Sequence, residues 1–282
     1  MAQLVARLVR NEKVGGSNPP GSTNLMKAPG IRSDPGGFVV RSYAGAMSDA
    51  IDPDRMGADR IDRAVEHALT RRKDYGEERL DEAALAADPF VQFDRWLAEA
   101  DERDVYEPNA MVLGTVGAGG TPSSRTVLLR GVDDRGFVFY TDRSSRKGRA
   151  LAASPTATLL FPWYLIHRQV IVTGVVDPVP DEESDAYWAT RPYGSRIAAT
   201  ASRQSQPIGS RAELEERVRE LEEEYAGVDD IRRPDRWGGY RLRPWRIEFW
   251  QGRTSRLHDR IVFDRDPEAA AGSPWRIGRL QP

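Results

Sequence analysis

The order of elements in this sequence predicts an α+β fold, an antiparallel, Greek-key-like barrel with flanking helices. Three observations carry that reading. Apolar residues recur at helical spacing up to about Leu97, they alternate at period two from Ala110 onward, and the strands are interrupted by helices in runs instead of alternating with them one by one. A doubly wound parallel sheet would need the strict alternation.

The elements follow in order. Between Asp59 and Tyr75 the apolar positions Ile61, Val65, Ala68 and Leu69 predict a helix, and Asp88-Pro89 opens a second one through Phe93, Trp96 and Leu97. Past Pro108, AMVLGTV, SSRTVLLRGV and GFVFYT read as strands of an antiparallel meander joined by glycine- or aspartate-rich turns. SSRKGRALAAS reads as a short helix. TATLLFPW and RQVIVTGVVDPV read as strands, the second long enough to bend around a barrel corner. Helical segments near 181–191, 193–203 and 210–225 precede strands at GGYRLRPWRIEFWQG, RIVFDRD and SPWRIGRL, with Gly252 and Gly272 in the intervening turns.

The first fifty residues differ from the rest: glycines and prolines from Gly15 to Gly37 break every would-be element, which predicts a disordered extension over residues 1–55. The segment LVARLVRNEKVGGSNPPGST lacks the apolar stretch of a secretory signal and resembles a string found at mis-called bacterial start sites. The expected native start is Met47 or nearby, with a single domain over residues 56–282. Forty-one basic against 43 acidic residues leave no global footprint for nucleic acid, so any anion binding must be local. The absence of cysteine removes disulfides, thiolate metal sites and cysteine nucleophiles, and is compatible with a cytoplasmic protein. No apolar run approaches the roughly 20 residues of a membrane-spanning helix. Three histidines, His67, His167 and His258, without ligand spacing, make a metal-centred mechanism an unattractive expectation.

Three constellations could carry chemistry. Arg125 and Arg130 flank the strand TVLL, while Arg146 and Lys147 open a helix just after Tyr140-Thr141; together they suit a phosphate, through charge-assisted donors and a helix N-terminus. Tyr187, Arg191 and Ser195 fall at i, i+4 and i+8 across Pro192, followed by Arg203-Gln204-Ser205, and their side chains can all donate to one anion; a helix ending ahead of Pro192 would remove the shared face. In EFWQGRTSRLHDR, Trp250 can pack on a planar ring, and Arg256, His258 and Arg260 alternate, which on a strand would aim them the same way. For each group the plain alternative is solvated surface or edge-strand polarity.

These residues also carry a resemblance. RTVLLR, FYT, SRK, FPW, RQV, Tyr-x3-Arg-Pro-x2-Ser, RQS, WGG, EFWQG and RLHDR occur in the order found in pyridoxamine 5′-phosphate oxidases, over about Arg71 to Pro282, and RLHDR after EFWQG with the terminal RLQP separates that family from other flavin-binding split barrels. The resemblance implies an FMN-binding split β-barrel, a homodimer with FMN at the subunit interface, and oxidation of pyridoxamine or pyridoxine 5′-phosphate to pyridoxal 5′-phosphate by O2, releasing hydrogen peroxide. By position it implies a cofactor site of Arg125, Thr126, Val127, Leu128, Leu129 and Arg130, with Arg146 and Lys147 on the FMN phosphate beside Arg125. Tyr140 and Thr141 would lie along the flavin chain and Gln169 on its ring, and Gln204, Ser205, Trp250 and Arg260 would complete the site. Substrate phosphate would fall to Arg130, Tyr187, Arg191 and Ser195. Arg256, Leu257 and His258 would lie over the pyridine ring, with Arg256 and His258 catalytic and His258 either a proton acceptor or a positioner. Arg72 and Tyr75 resemble lid residues. The sequence departs from the family pattern at Arg130, where lysine is usual, and at Ala198 and Thr200, where glycine and an aromatic residue are common. The rival expectations are a split-barrel flavin or pyridoxal-phosphate carrier without turnover, and a reductase using a different flavin-like cofactor.

Overall fold

The computed structural model describes residues 65–71, 73–228, 230–269 and 272–282. Two compact units are distinguished, one up to Lys73 and one over Asp74–Pro282. In the first, residues 65–70 are helical, with the Thr70 hydroxyl donating to the Glu66 carbonyl at 2.7 Å. The expected helix from Asp59 lies, up to residue 64, outside the described residues, as does the whole of the expected 1–55 extension.

The second unit opens with an extended strap and then helix α1 (Pro89–Glu102). The Asp88 carboxylate caps the helix by accepting from the Phe90 amide at 2.7 Å, and Pro89 occupies the first turn, where no amide hydrogen is needed. Its apolar face buries Phe90, Phe93, Trp96 and Ala100. Strands β1 (Ala110–Val116), β2 (Pro122–Leu128), β3 (Gly131–Asp133) and β4 (Gly136–Asp142) follow, then helix α2 (Arg146–Ala153) and strands β5 (Thr156–Trp163) and β6 (Arg168–Pro178). Helices α3 (Asp181–Ala189), α4 (Tyr193–Ala201) and α5 (Arg211–Glu224) lead to β7 (Trp237–Gln251), β8 (Asp259–Asp264) and β9 (Arg276–Leu280).

The sheet is antiparallel in the order β2-β1-β5-β6-β7-β4-β3, with β8 on β7 and β9 on β8. Its two ends are neighbours in the chain, which closes it. The stretch SSRTVLLRGV is therefore two strands, where the sequence reads as one. At Leu129 the amide still reaches back to Asn109 O, whereas the Arg130 amide reaches forward to Val138 O, so the chain changes partners there. Strand β7 is the other junction. Its outer edge pairs with β4 over Trp237–Leu242 and with β8 over Arg246–Gln251. Between them a bulge against Thr173 and Gly174 leaves Trp245 without a register partner, beside Pro244, which has no amide hydrogen to give. Strand β9 begins at Arg276, three residues later than SPWRIGRL predicts.

The barrel interior is aromatic. Phe93 meets Phe137 and Phe161 edge-on at 4.9 and 4.8 Å, and Trp163 at 6.0 Å; Trp96 meets Phe249 at 5.2 Å. Each such side chain contributes roughly 1.5–3 kcal/mol by leaving water. The strap is held across the outer strands: Leu80 donates its amide to Asp259 at 3.1 Å and its carbonyl accepts from Arg279 at 2.9 Å. Arg279 also forms two 2.7 Å bonds to Glu82 and one of 2.6 Å to Asp259.

Two outcomes follow. Phe93→Ala is expected to lower the unfolding free energy by about 3–5 kcal/mol, measured from urea midpoints. The hydrogen bond from Arg279 holds the Glu82 carboxyl down at about 2 against a usual 4.5. A depressed carboxylate stabilises the fold above its unfolded value and loses that contribution as pH falls. The difference in urea midpoint between wild type and Glu82→Gln should therefore be present at pH 6 and shrink between about 4.5 and about 2.

Candidate active site

The first constellation is assembled where β4 hands over to α2. Asp142, the last residue of β4, accepts from the Ser144 amide at 2.7 Å and hydroxyl at 2.6 Å, and Ser145 caps α2 by accepting from the Gly148 amide at 3.3 Å. Gly148 is required for this turn: a Cβ there would stand 2.0 Å from the Arg143 carbonyl oxygen. Arg146 and Lys147 are thereby placed in the first helical turn, where the backbone favours negative charge. Lys147 Nζ is buried and donates to Gln204 Oε1 at 2.6 Å and Thr141 Oγ1 at 3.1 Å. Arg125 projects from β2 and is locked by donating to Leu113 O (2.9 Å), Thr115 Oγ1 (2.8 Å) and Ser123 Oγ (2.6 Å).

These three cations repel one another. Burial, and after it Arg146, push the Arg125 guanidinium below its ordinary value; burial, and after it Arg125, do the same to Lys147, with Asp142 opposing. Among the described residues none of the three forms an ion pair. Asp142, the carboxylate that acts on Lys147, is already engaged by Arg236 at 3.1 Å. Buried like charges at a helix N-terminus are relieved by a bound anion. An adjoining cleft of roughly 340 Å³ is lined by Gly117, Thr121, Ser123, Arg146 and Arg149.

The second constellation does come together, but not on one helical face. Helix α3 ends at Ala189, ahead of Pro192, which starts α4. Arg191, between the helices, donates to Ser195 O at 3.1 Å and lies over the Trp237 ring at 4.8 Å. Tyr187 is buried in a stack with Tyr140 (4.0 Å) and Trp237 (6.1 Å). The Tyr140 hydroxyl donates to Glu183 O at 3.5 Å; burial, then Glu183, push its pKa well above the ordinary phenol value. Arg130 is half-buried at the barrel closure, and its guanidinium makes no hydrogen bond or ion pair among the described residues.

The third constellation corrects the strand reading. Thr254–Arg256 form a 3-10 turn, Ser255 and Arg256 have φ of 54° and 63°, and β8 starts only at Asp259, so Arg256, His258 and Arg260 do not alternate along one strand. Arg256 and Leu257 are exposed. His258 packs on Trp250 at 4.6 Å and meets Tyr75 edge-on at 5.5 Å. Its Nδ1 accepts from the Arg253 amide at 3.1 Å, and burial, then Arg256, lower its pKa. Arg260 turns to Glu248 in a bidentate pair at 2.8 and 3.1 Å, so its charge is matched within the chain, unlike that of Arg125. Gln169 sits beside Trp250 in the β6–β7 register. Gln204 reaches Lys147 from the exposed turn after α4, where Ser205 has φ of 67°. Thr126, Val127, Leu128 and Leu129 lie along β2 and its end, Leu129 buried. Arg72 lies outside the described residues.

Sequence reasoning passed over Arg236, which donates to Asp142 and to the carbonyls of Ala199, Thr200 and Ser202, tying β4 to the end of α4. Its partners lie 34 to 94 residues away, so no local signal marks it. Glu248 and Asp259, the carboxylates that engage Arg260 and the strap, were missed for the same reason.

Comparison with known proteins identifies the family. Residues 97–225 match the family described as pyridoxamine 5′-phosphate oxidase, and residues 237–282 match the pyridoxine 5′-phosphate oxidase C-terminal dimerisation region. A Burkholderia multivorans protein named pyridoxine/pyridoxamine 5′-phosphate oxidase is 56% identical over 211 residues, 75% of this chain and 97% of that protein. A Burkholderia thailandensis protein of the same name is 53% identical over the same shares. Among solved structures, PhzG from Burkholderia lata 383, in complex with tetrahydrophenazine-1-carboxylic acid, is 34% identical with a TM-score of 0.67, covering 73% of this chain and all of that one. A pyridoxamine 5′-phosphate oxidase-related, FMN-binding protein from Nostoc punctiforme shares the fold, at 17% identity and a TM-score of 0.56, over 70% of this chain and all of that one. With both family regions matched in order and relatives more than half identical along nearly their whole length, the chain belongs to the pyridoxamine 5′-phosphate oxidase family.

Proposed function

We propose that this chain, through a domain over residues 56–282, is an FMN-dependent oxidase of pyridoxamine 5′-phosphate and pyridoxine 5′-phosphate, producing pyridoxal 5′-phosphate and H2O2. The observation that carries the reading is the trio of a half-buried Arg125, a buried Lys147 and an exposed Arg146, which repel one another and, among the described residues, have no carboxylate partner. That donor set fits the FMN phosphate, with the Thr141 hydroxyl beside it. Two cofactor sites in a homodimer are in keeping with the dimerisation region matched by residues 237–282.

When bound, FMN supplies the two-electron oxidation of the substrate carbon and returns the electrons to O2. The protein binds and orients. Trp250 offers an aromatic wall, and Gln169 beside it an amide for the flavin ring. Arg130, whose guanidinium is uncommitted among the described residues, joins Arg191 and Ser195 as the anchor for the substrate phosphate, and anchoring turns an encounter into a positioned reaction. Arg256, exposed on its turn, has the freedom to fold over the pyridine ring. His258 acts as a hydrogen-bond donor: with Nδ1 occupied by the Arg253 amide and its pKa lowered, the neutral ring carries its hydrogen on Nε2. It orients the substrate and does not take a proton from it.

Purified protein loaded with FMN should consume O2 with either vitamin B6 phosphate and form peroxide in step with the aldehyde. Flavin-loaded protein that yields peroxide with neither defeats the proposal. Turnover of tetrahydrophenazine-1-carboxylic acid instead would move the chain toward the chemistry of the PhzG ligand. Lys147→Met should weaken FMN binding by about ten- to a hundred-fold, the worth of one charge-assisted hydrogen bond, as read by flavin fluorescence titration. His258 should titrate by NMR below the ordinary 6.5, and Arg256→Ala should raise that midpoint only part of the way, because burial is the larger cause.

A further inference from the structure

Four rings crowd around Gly252 at the end of β7: Tyr75, His167, Trp250 and His258. Three of them belong to the site described above. His167 has no place in it, and lies on the turn between β5 and β6. We propose that His167 is a positioning residue, whose imidazole seats the Tyr75 strap against His258 and thereby sets the substrate edge of the site. The proposal rests on the functional reading just given for that site.

His167 adopts the left-handed conformation, φ 54° and ψ 39°, which costs a residue with a side chain of order 1 kcal/mol. Glycine would sit there freely, but would lose the contacts the imidazole makes. Nδ1 lies 3.1 Å from the Tyr75 carbonyl oxygen, to which it donates, and the ring meets Tyr75 edge-on at 4.9 Å. An Nδ1 hydrogen exists in one neutral tautomer and in the imidazolium alike, so the contact survives protonation. The His167 backbone fastens the other side of the cluster: its carbonyl accepts from the Gly252 amide at 2.7 Å and from Gln251 Nε2 at 3.4 Å. One residue along the strap, Gly76 O accepts from the Thr254 amide at 3.0 Å. The strap is thus gripped on consecutive carbonyls, once by the His167 side chain and once by the turn that carries Arg256.

The space at Gly252 shows how closely these parts fit. A Cβ there would stand 3.0 Å from Tyr75 Cγ, 3.1 Å from His167 Cβ and 3.1 Å from the Trp250 ring. Tyr75 in turn presents its edge to His258 at 5.5 Å and to Trp250 at 6.0 Å. Among the described residues no other side chain hydrogen-bonds the Tyr75 carbonyl. Loss of the imidazole therefore frees Tyr75, while the Trp250–His258 pair and the cation trio keep their own supports.

The test compares His167→Ala with His167→Asn, since asparagine tolerates the left-handed conformation and places an amide N–H close to the Nδ1 position. The FMN-loaded proteins are assayed with pyridoxamine 5′-phosphate, titrated with FMN, and followed by amide hydrogen exchange. For His167→Ala the expected result is a KM raised about ten-fold, kcat within about two-fold of wild type and unchanged FMN affinity. Exchange at the Thr254 amide should quicken, and His167→Asn should restore both KM and protection. Wild-type KM and protection in His167→Ala, an equal fall in kcat, weakened FMN binding, or an asparagine variant no better than alanine would each overturn the proposal. If the wild-type protein oxidises neither vitamin B6 phosphate, the functional reading fails on its own. Exchange at Thr254 then still decides whether His167 holds the strap.

Discussion

The ion pair between Asp142 and Arg236 is the contact on which the candidate site depends. Asp142 ends β4, pairs in register with Trp237 at the start of β7, and accepts both bonds that turn the chain toward α2. Arg236 carries the same connection to the last carbonyls of α4, and so to the turn that presents Gln204 to Lys147. Asp142 is almost fully buried, and removing one partner of such a pair costs roughly 3–5 kcal/mol because the other is left charged and dry. Two strands and two helices thus meet at one carboxylate, and the cation trio is a consequence of where they meet.

That position explains why the trio stays unneutralised in a chain rich in ion pairs. Arg241 is matched by Asp133 and Glu183, Arg233 by Asp181 and Asp185, Arg168 by Glu78 and Glu99, and Arg260 by Glu248. Each of these arginines gains attraction to offset the cost of leaving water. Among the described residues Arg125 and Lys147 have only neutral acceptors, and Asp142, whose charge raises Lys147, is occupied by Arg236. The protein accepts this local cost where a phosphate would remove it, and avoids it elsewhere.

The aromatic side of the site follows another logic. Tyr140, Tyr187 and Trp237 form a nearly parallel stack with Arg191 over its end, a rigid platform that spends no net charge. Tyr75, Trp250 and His258 meet edge-on or tilted; Trp250 is held by strand pairing in β7, whereas Tyr75 and His258 are held by the strap and the turn laid against it. The first stack draws on β4, β7 and helix α3, and in the second a strap and two left-handed turns at His167 and Ser255-Arg256 lay Tyr75 and His258 against Trp250 of β7.

Local patterns were legible because their causes lie within a few residues. Alternation along AMVLGTV and TATLLFPW appears as alternating burial in β1 and β5, and Asp88-Pro89 and Ser145 sit at the helix starts that capping chemistry requires. The motifs from RTVLLR to RLHDR were enough to place the chain in its family. Where local reasoning assumed that a pattern continues, it failed. SSRTVLLRGV changes partners at Leu129 and Arg130, and the alternation of Arg256, His258 and Arg260 is broken by positive φ angles and by Glu248. The sequence by itself determined the helices, the strands and the kinds of side chain available at the site. Only the tertiary structure decided which charges are matched and which rings touch, because the partners, such as Asp142 for Arg236 or Tyr75 for His167, are brought together from 94 and 92 residues away by closure of the barrel.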